Sequence, residues 1–419
     1  MPILPTYICI VMSSPTKTPP PSPSPAAAAD ETAVAAAATA AAVATVACSM
    51  KQKPELRYVP AGARFGRFVQ EKCPILDEVF APTWWAGSSL MQTVVPSMLR
   101  TRLSQMRYTR ELLTCQDGGI VSLDWFEGSP STEIDQKGSP IALIFPGLIG
   151  DSQSEYLRYL VPAIKRLGYR VVTFNNRGRG GMELRTPRIY CAANFDDVEL
   201  AIDHVRDKNP NSRIVASGFS MGGMVLTRYL AERGEQAKVD AAMLVSANYD
   251  LVNGTRHMEE GVLNRFIARV MTKELVSVLL SDKEALGKTD KPVQWEKLKT
   301  ATSFRELDRY FTCPMWGYAD PEDYFKDATN NDRLPKIKVP TLALNSGDDM
   351  FSPYETLPLD RLNEAVVFVV TSRGGHLGFM DGWRPTAPYY GDKLVEQYHK
   401  AMLEVDSPKE LLKPLSQTE

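Results

Sequence analysis

The stretch Arg213-Ile-Val-Ala-Ser-Gly-Phe-Ser-Met-Gly-Gly-Met-Val-Leu226 constrains this chain more than any other. A β-branched run ends in Gly218-Phe-Ser-Met-Gly222 and passes at once into a helical pattern, so it reads as strand, tight elbow and helix. In a G-x-S-x-G elbow the serine occupies a strained turn that lifts its hydroxyl above the end of a parallel sheet. Small residues on either side let strand and helix approach. Ser220 is therefore the candidate nucleophile. The N–H of Met221 falls at a helix N-terminus, where free amides and the helix dipole favour negative charge, which makes it a candidate oxyanion donor. Two glycines around a serine also arise by chance. The strand before them and the pattern Met224, Val225, Leu226, Tyr229, Leu230 after them supply the context the motif requires.

Such an elbow needs a parallel sheet to stand on, and the rest of the chain supplies one. Gly119–Phe126 alternates as a half-buried strand, whereas Ile141–Phe145 is a continuous apolar run of the kind shown by strands covered on both faces. Arg170–Phe174, Ala241–Val245, Val339–Leu344 and Ala365–Val370 read as further strands. Between them lie helical patterns. One opens at the capping box Ser152-x-x-Glu155, carries Leu157, Leu160, Val161, Ile164 and Leu167, and ends at Gly168; another covers Asn194 to Asn209. Strands alternating with helices predict an α/β chain with a mostly parallel, doubly wound sheet. Nearly a hundred residues separate the strand at Met243 from that at Leu342, and they predict an inserted helical unit.

A serine nucleophile needs a base and an acid that orients the base. The chain has four histidines. His204 and His399 fall within helices and read as surface or packing residues, and His257 opens the inserted unit. His376 follows the last strand across Thr371-Ser-Arg-Gly-Gly375, at the carboxyl end of a parallel strand, where open α/β sheets keep their sites. It is the candidate base. Asp348 or Asp349, in the loop Asn345-Ser-Gly-Asp-Asp-Met-Phe-Ser-Pro353, is the candidate acid, giving the order Ser, Asp, His. Glycines in Phe145-Pro-Gly-Leu-Ile-Gly150 let backbone approach a substrate oxygen, so the Leu148 N–H is the second candidate oxyanion donor. The loop Asn176-Arg-Gly-Arg-Gly-Gly181 lacks the Lys-Ser/Thr of a phosphate loop, and no G-x-G-x-x-G follows the first strand. It reads as the pocket floor, and the sequence predicts no cofactor.

The remaining segments define the chain's organisation. A net charge of −2 with scattered Lys and Arg supplies no basic field for nucleic acid. Six cysteines without a C-x-x-C pair or a histidine at zinc spacing predict thiols rather than a metal site. Residues 1–53 read as a low-complexity tail, within which 33–50 is uncharged and just long enough to span a membrane. That tract is alanine-rich, with Val34, Val43, Val46 and Met50 as its clearly apolar residues, so an alanine tract and a membrane anchor are both open. Residues 54–112, dense in proline and aromatics, read as an arm packed on a catalytic domain of 113–405. The inserted unit covers about 252–335, and 406–419 form a C-terminal tail. Gly261–Leu280 is apolar around more than one face, which fits either packing against the sheet or a lid meeting lipid.

At this point the chain resembles a known family, the α/β-hydrolase-domain lipases, specifically abhydrolase domain-containing proteins 1 to 3 and their bacterial YheT-like relatives. The pieces that carry the resemblance are Pro82-Thr-Trp-Trp with Gln92-Thr93, Asp117-Gly-Gly with Leu123-Asp-Trp125, Pro146-Gly-Leu, Asn176-Arg-Gly, Gly218-Phe-Ser-Met-Gly222, Asp348-Asp349 with Ser352-Pro353, and Gly374-Gly-His-Leu-Gly378. The resemblance implies the α/β-hydrolase fold with an inserted helical lid, and a membrane protein that hydrolyses phospholipid or acylglycerol esters. It also implies Asp349 as the acid, four residues before Pro353. Two rivals are an acyltransferase, since His376-Leu-Gly-Phe-Met-Asp381 fits H-x-x-x-x-D, and a lipid receptor that keeps the pocket without the reaction. Nothing in the sequence sets the oligomeric state.

Overall fold

The computed structural model describes residues 51–60, 63–127 and 138–413. Among them, nine strands form one sheet in the order β1-β9-β8-β7-β6-β4-β5-β3-β2. The strands are β1 (Glu55–Arg57), β2 (Tyr108–Thr114), β3 (Ile120–Phe126), β4 (Ile141–Phe145), β5 (Arg170–Asn175), β6 (Ile214–Phe219), β7 (Ala241–Val245), β8 (Thr341–Ser346) and β9 (Val366–Thr371). β4 to β9 are mutually parallel; β3 is antiparallel to β5, β2 to β3, and β1 to β9.

The apolar runs read as central strands are apolar throughout because both faces are covered. Alternate residues of β4 feed opposite cores: Ile141, Leu143 and Phe145 one, Ala142 and Ile144 the other. The first core is closed by α4 (Asp196–Lys208) and α5 (Met221–Arg233). The second is closed by α1 (Ala63–Lys72), α3 (Leu157–Arg166) and α9 (Tyr390–Leu403). Two strands touch the segment expected to be an arm: β1 lies inside it, and β2 runs across its expected end at residue 112. The arm's helix α2 (Ser89–Arg100) follows the first of them. Of the expected C-terminal tail, Pro408–Leu412 forms a short turn of 3-10 helix with Leu411 buried.

The capping box expected at Ser152 and Glu155 is not formed. α3 starts later, at Leu157, because both side chains are taken by tertiary partners: Ser152 Oγ donates to Asp124 (2.6 Å) and Glu155 accepts from Ser97 Oγ (2.6 Å). Gly168, with φ 105°, does follow the end of that helix.

Between β7 and β8 the chain is helical, with α6 (Leu251–Glu259), α7 (Val262–Ser281), α8 (Pro321–Ala328) and several single turns. Ala268, Leu275, Val276 and Leu279 of α7 are buried, the last three in a cluster the insertion builds with Leu286, Leu298, Leu307 and Phe311. No helix among the described residues is long and apolar enough to cross a membrane, and the tract 33–50 lies outside them.

His399, on α9, is fully buried: its Nδ1–H donates to Val395 O (2.8 Å), and Nε2 meets Ser217 Oγ (3.2 Å). Burial pushes its pKa down to about 4. The unfolded chain therefore takes up more protons between about pH 4 and the ordinary histidine value, and this component of stability is lost as pH falls through that window. Asp308, pushed up to about 7 by burial, acts in the opposite sense, since its stabilising component is present at low pH and lost as pH rises through 7. Replacing His399 by Gln removes the first component only. The fall in Tm between pH 7 and pH 5 is expected to be smaller for that variant than for the parent, measured by calorimetry.

Candidate active site

Ser220 sits between β6 and α5 with φ 51° and ψ −121°, a conformation that a non-glycine residue holds only when its surroundings enforce it. The enforcement is visible. The Ser220 N–H donates to Val245 O of the next strand (2.9 Å), and a Cβ on Gly222 would collide with the carbonyl oxygens of Phe145 and Pro146. Strand, elbow and helix are thus packed backbone to backbone, and the serine hydroxyl is left half-buried above the sheet.

Two further strand ends converge on it. His376 Nε2 lies 2.8 Å from Ser220 Oγ, and His376 Nδ1 lies 2.8 Å from Asp349 Oδ2. With the ring proton on Nδ1 donated to the carboxylate, Nε2 is free to accept the Ser220 O–H. Asp349 is completely buried, and its other oxygen accepts the Phe351 N–H (2.9 Å). The Phe351 ring stands against the imidazole, with centroids 4.7 Å apart and planes at 64°. Of the two adjacent acids it is Asp349 that meets the histidine. Asp348 Oδ1 instead accepts the Gly375 N–H (2.9 Å) and the Ser346 hydroxyl (3.0 Å), bracing the loop that carries His376, and burial raises its pKa.

The loop after β4 abuts the serine, for a Cβ on Gly147 would lie 3.1 Å from Ser220 Cβ. Its neighbouring amides are engaged: Gly147 N–H donates to the Tyr156 hydroxyl (2.9 Å), Ile149 N–H to the Tyr190 hydroxyl (3.2 Å) and Gly150 N–H to Gly147 O (3.0 Å). The hydrogen bonds of the described residues leave the Leu148 and Met221 amides unengaged. Neither tyrosine carries a sequence signal for this work: Tyr156 returns to the loop from nine residues beyond Gly147, and Tyr190 from 41 residues beyond Ile149.

The other candidates go elsewhere. His204 Nε2 meets Glu111 (2.8 Å), and His257 lies on α6 without joining the Ser220 cluster. Asp381, the acid of the H-x-x-x-x-D pattern, is held by Lys393 (2.7 Å) rather than by His376. In the loop 176–181, Asn176 lines a cavity of about 20 Å³ shared with Met221 and Gly222, which Ser220 and His376 do not line. Arg177, however, is an ion-pair node, buried between Asp197 (2.6 Å) and Asp117 (2.5 Å).

These features place the chain in a known class. A family model described as alpha/beta hydrolase fold matches residues 140–382, and the chain belongs to that family. Among its relatives, phospholipase ABHD3 of Homo sapiens is 36% identical over 85% of this chain and 86% of that protein. The putative esterase YheT of Escherichia coli (strain K12) is 30% identical over 72% and 87%. Monoacylglycerol lipase ABHD2 of Homo sapiens is 29% identical over 83% and 85%.

The geometry ranks the two acids. Asp349→Asn is expected to slow covalent labelling of Ser220 by a fluorophosphonate by up to about 10⁴-fold, the scale seen when an imidazole is held in the wrong tautomer. Asp348→Asn is expected to slow it far less. Labelling rates of the two purified variants make the comparison.

Proposed function

We propose that this chain is a serine hydrolase that cleaves a carboxylic ester of a membrane glycerolipid. The observation that carries the reading is the unbroken hydrogen-bond chain from Ser220 Oγ through His376 to buried Asp349. In this scheme Ser220 Oγ attacks the ester carbonyl as its proton passes to His376 Nε2, and Asp349 stabilises the imidazolium that results. The Leu148 and Met221 amides hold the developing oxyanion. The imidazolium then protonates the departing alcohol, leaving an acyl-enzyme. A water, deprotonated by the same histidine, releases the fatty acid. Relatives named phospholipase, monoacylglycerol lipase and esterase support a lipid ester as substrate. Ser220→Ala is expected to lower kcat by roughly a millionfold; hydrolysis of a short-chain ester at the native rate by that variant overturns the assignment.

The substrate is reached from the bilayer surface, with residues 54–112 as an arm on the catalytic domain 113–405, the unit around 252–335 as a lid and 33–50 as the candidate anchor. Support comes from α7, which leaves Val262, Leu263, Phe266 and Val270 exposed, Val262 at 80% and Phe266 at 61%. Removing such surface from water at a lipid interface is worth about 25 cal/mol per Å². Exposed Arg265, Arg269 and Lys273 flank this stripe, in position to meet lipid phosphates. On its inner side Ile267 and Ala268 pack in a cluster with Met258, Met350 and Phe351, and Phe351 is the ring against His376. Activity is expected to rise when a phospholipid passes from monomers to vesicles. Replacing the exposed Leu263 and Phe266 by Ser should blunt that rise while leaving hydrolysis of a water-soluble ester largely intact. Equal losses on both substrates in folded protein would make α7 ordinary core.

A further inference from the structure

The motifs Pro82-Thr-Trp-Trp and Gln92-Thr93 lie outside the matched 140–382 and have no part in the chemistry above. We infer that the segment carrying them, from Pro82 to Arg100, is the positioning element for the loop that presents His376, and that Thr93 is its principal positioning residue. The inference rests on the reading of His376 as the base.

The loop needs such an element. Gly374, Gly375, Leu377 and Phe379 have φ of 150°, 57°, 62° and 49°. Two of these are side-chain-bearing residues in the left-handed region, which persists only where contacts over-determine it. A turn with so many positive φ values around one imidazole does not hold its own shape.

The contacts come from one face of α2. Thr93 Oγ1 donates to Ser89 O of its own helix (2.8 Å), which commits its proton and turns a lone pair towards the His376 N–H, accepted at 2.9 Å. Gln92, fully buried, brackets the end of the loop: its Oε1 accepts from Met380 N (2.8 Å) and its Nε2 donates to Met380 O (3.1 Å). Two turns further on, Arg100 donates to Leu377 O (2.9 Å) and is fixed by a buried pair with Asp392 (2.8 Å). Between these grips the backbones touch, since a Cβ on Gly378 would collide with Gln92 O. Thr83 completes the hold, its N–H donating to Met380 O (3.1 Å) and its hydroxyl to Gly382 O (2.9 Å), with Trp84 stacked on Trp383.

From the sheet side Ser246 Oγ accepts the Leu377 N–H (3.1 Å) and Asp348 the Gly375 N–H (2.9 Å). The sheet thus supplies the residues before and after the imidazole. The arm alone supplies the partner for the backbone N–H of His376 itself. A shift of this N–H moves Nε2 relative to Ser220 Oγ, and a displacement of about 1 Å at a reacting group costs on the order of 100-fold in rate.

The test is kinetic, on the full chain with a water-soluble short-chain ester. Thr93→Val keeps the volume and removes the acceptor. It is expected to lower kcat by about 10- to 100-fold with KM little changed, and Thr93→Ser, which restores the oxygen, should recover most of the loss. Val69→Ala, a core change on α1, sets the baseline for simple destabilisation and should lower Tm without lowering kcat at 25 °C. If Thr93→Val does not fold, Gln92→Met, which frees the Met380 N–H, reads the same effect on kcat. Native kcat in a folded variant of either kind, equal impairment of Thr93→Val and Thr93→Ser, or a matching kcat loss in Val69→Ala overturns the inference. His376→Ala separates the two levels: if it stays active the base assignment fails, whereas an inactive His376→Ala beside a fully active Thr93→Val defeats the positioning role alone.

Discussion

A chain of two hydrogen bonds, Asp349 to His376 to Ser220, ties together the carboxyl ends of β8, β9 and β6. β7 lies between β6 and β8 and takes part without contributing one of these three side chains, because Val245 O accepts the Ser220 N–H and Ser246 Oγ accepts the Leu377 N–H. Four adjacent parallel strands therefore share one task. Their register decides whether three side chains far apart in the chain lie at bonding distance, and the register is held by two cores filled from alternate strand positions. Backbone packing around Gly222 and the strained turn at Ser220 are consequences of bringing a helix onto that sheet edge.

Ion pairs with at least one buried partner tie separate elements to one another. Arg177 joins the turn at Asp117 to the start of α4 at Asp197, Arg110 holds Asp124, which in turn takes Ser152, and Arg100 pairs with Asp392. Replacing such a pair by apolar residues can be neutral, but removing one partner leaves an uncompensated buried charge. Arg177 thereby couples the Asp117 turn to the start of α4, Arg110 and Asp124 join the neighbouring strands β2 and β3, and Arg100 and Asp392 join α2 to α9.

The insertion and the arm divide the surroundings of the site between them. The insertion brings Phe351's neighbours and an apolar outer face; the arm brings polar partners for backbone. That difference follows from what each meets, since a loop with many unpaired amides calls for oxygen acceptors and a ring calls for packed carbon.

The sequence by itself determined the elements whose burial is uniform. β4, β6, β7 and β9 are apolar on both faces and so legible as central strands, and the elbow was legible because its glycines sit where backbone meets backbone. It determined Ser220 and His376 as candidates, through their placement at strand ends. Tertiary structure decided the rest. β2 is an edge strand with Thr109, Arg110, Leu112 and Thr114 exposed, so its pattern resembles a loop, and β1 is three residues long. Ser152 and Glu155 carried a capping signature that Asp124 and Ser97 overrode. Asp348 and Asp349 are adjacent and alike in their pattern; the family resemblance pointed to Asp349, and the positions of Gly375 and His376 in space show which partner each carboxylate meets. Periodicity reports which face of an element is covered. The partner of a hydrogen bond is chosen by distance in three dimensions, which residue order does not encode locally.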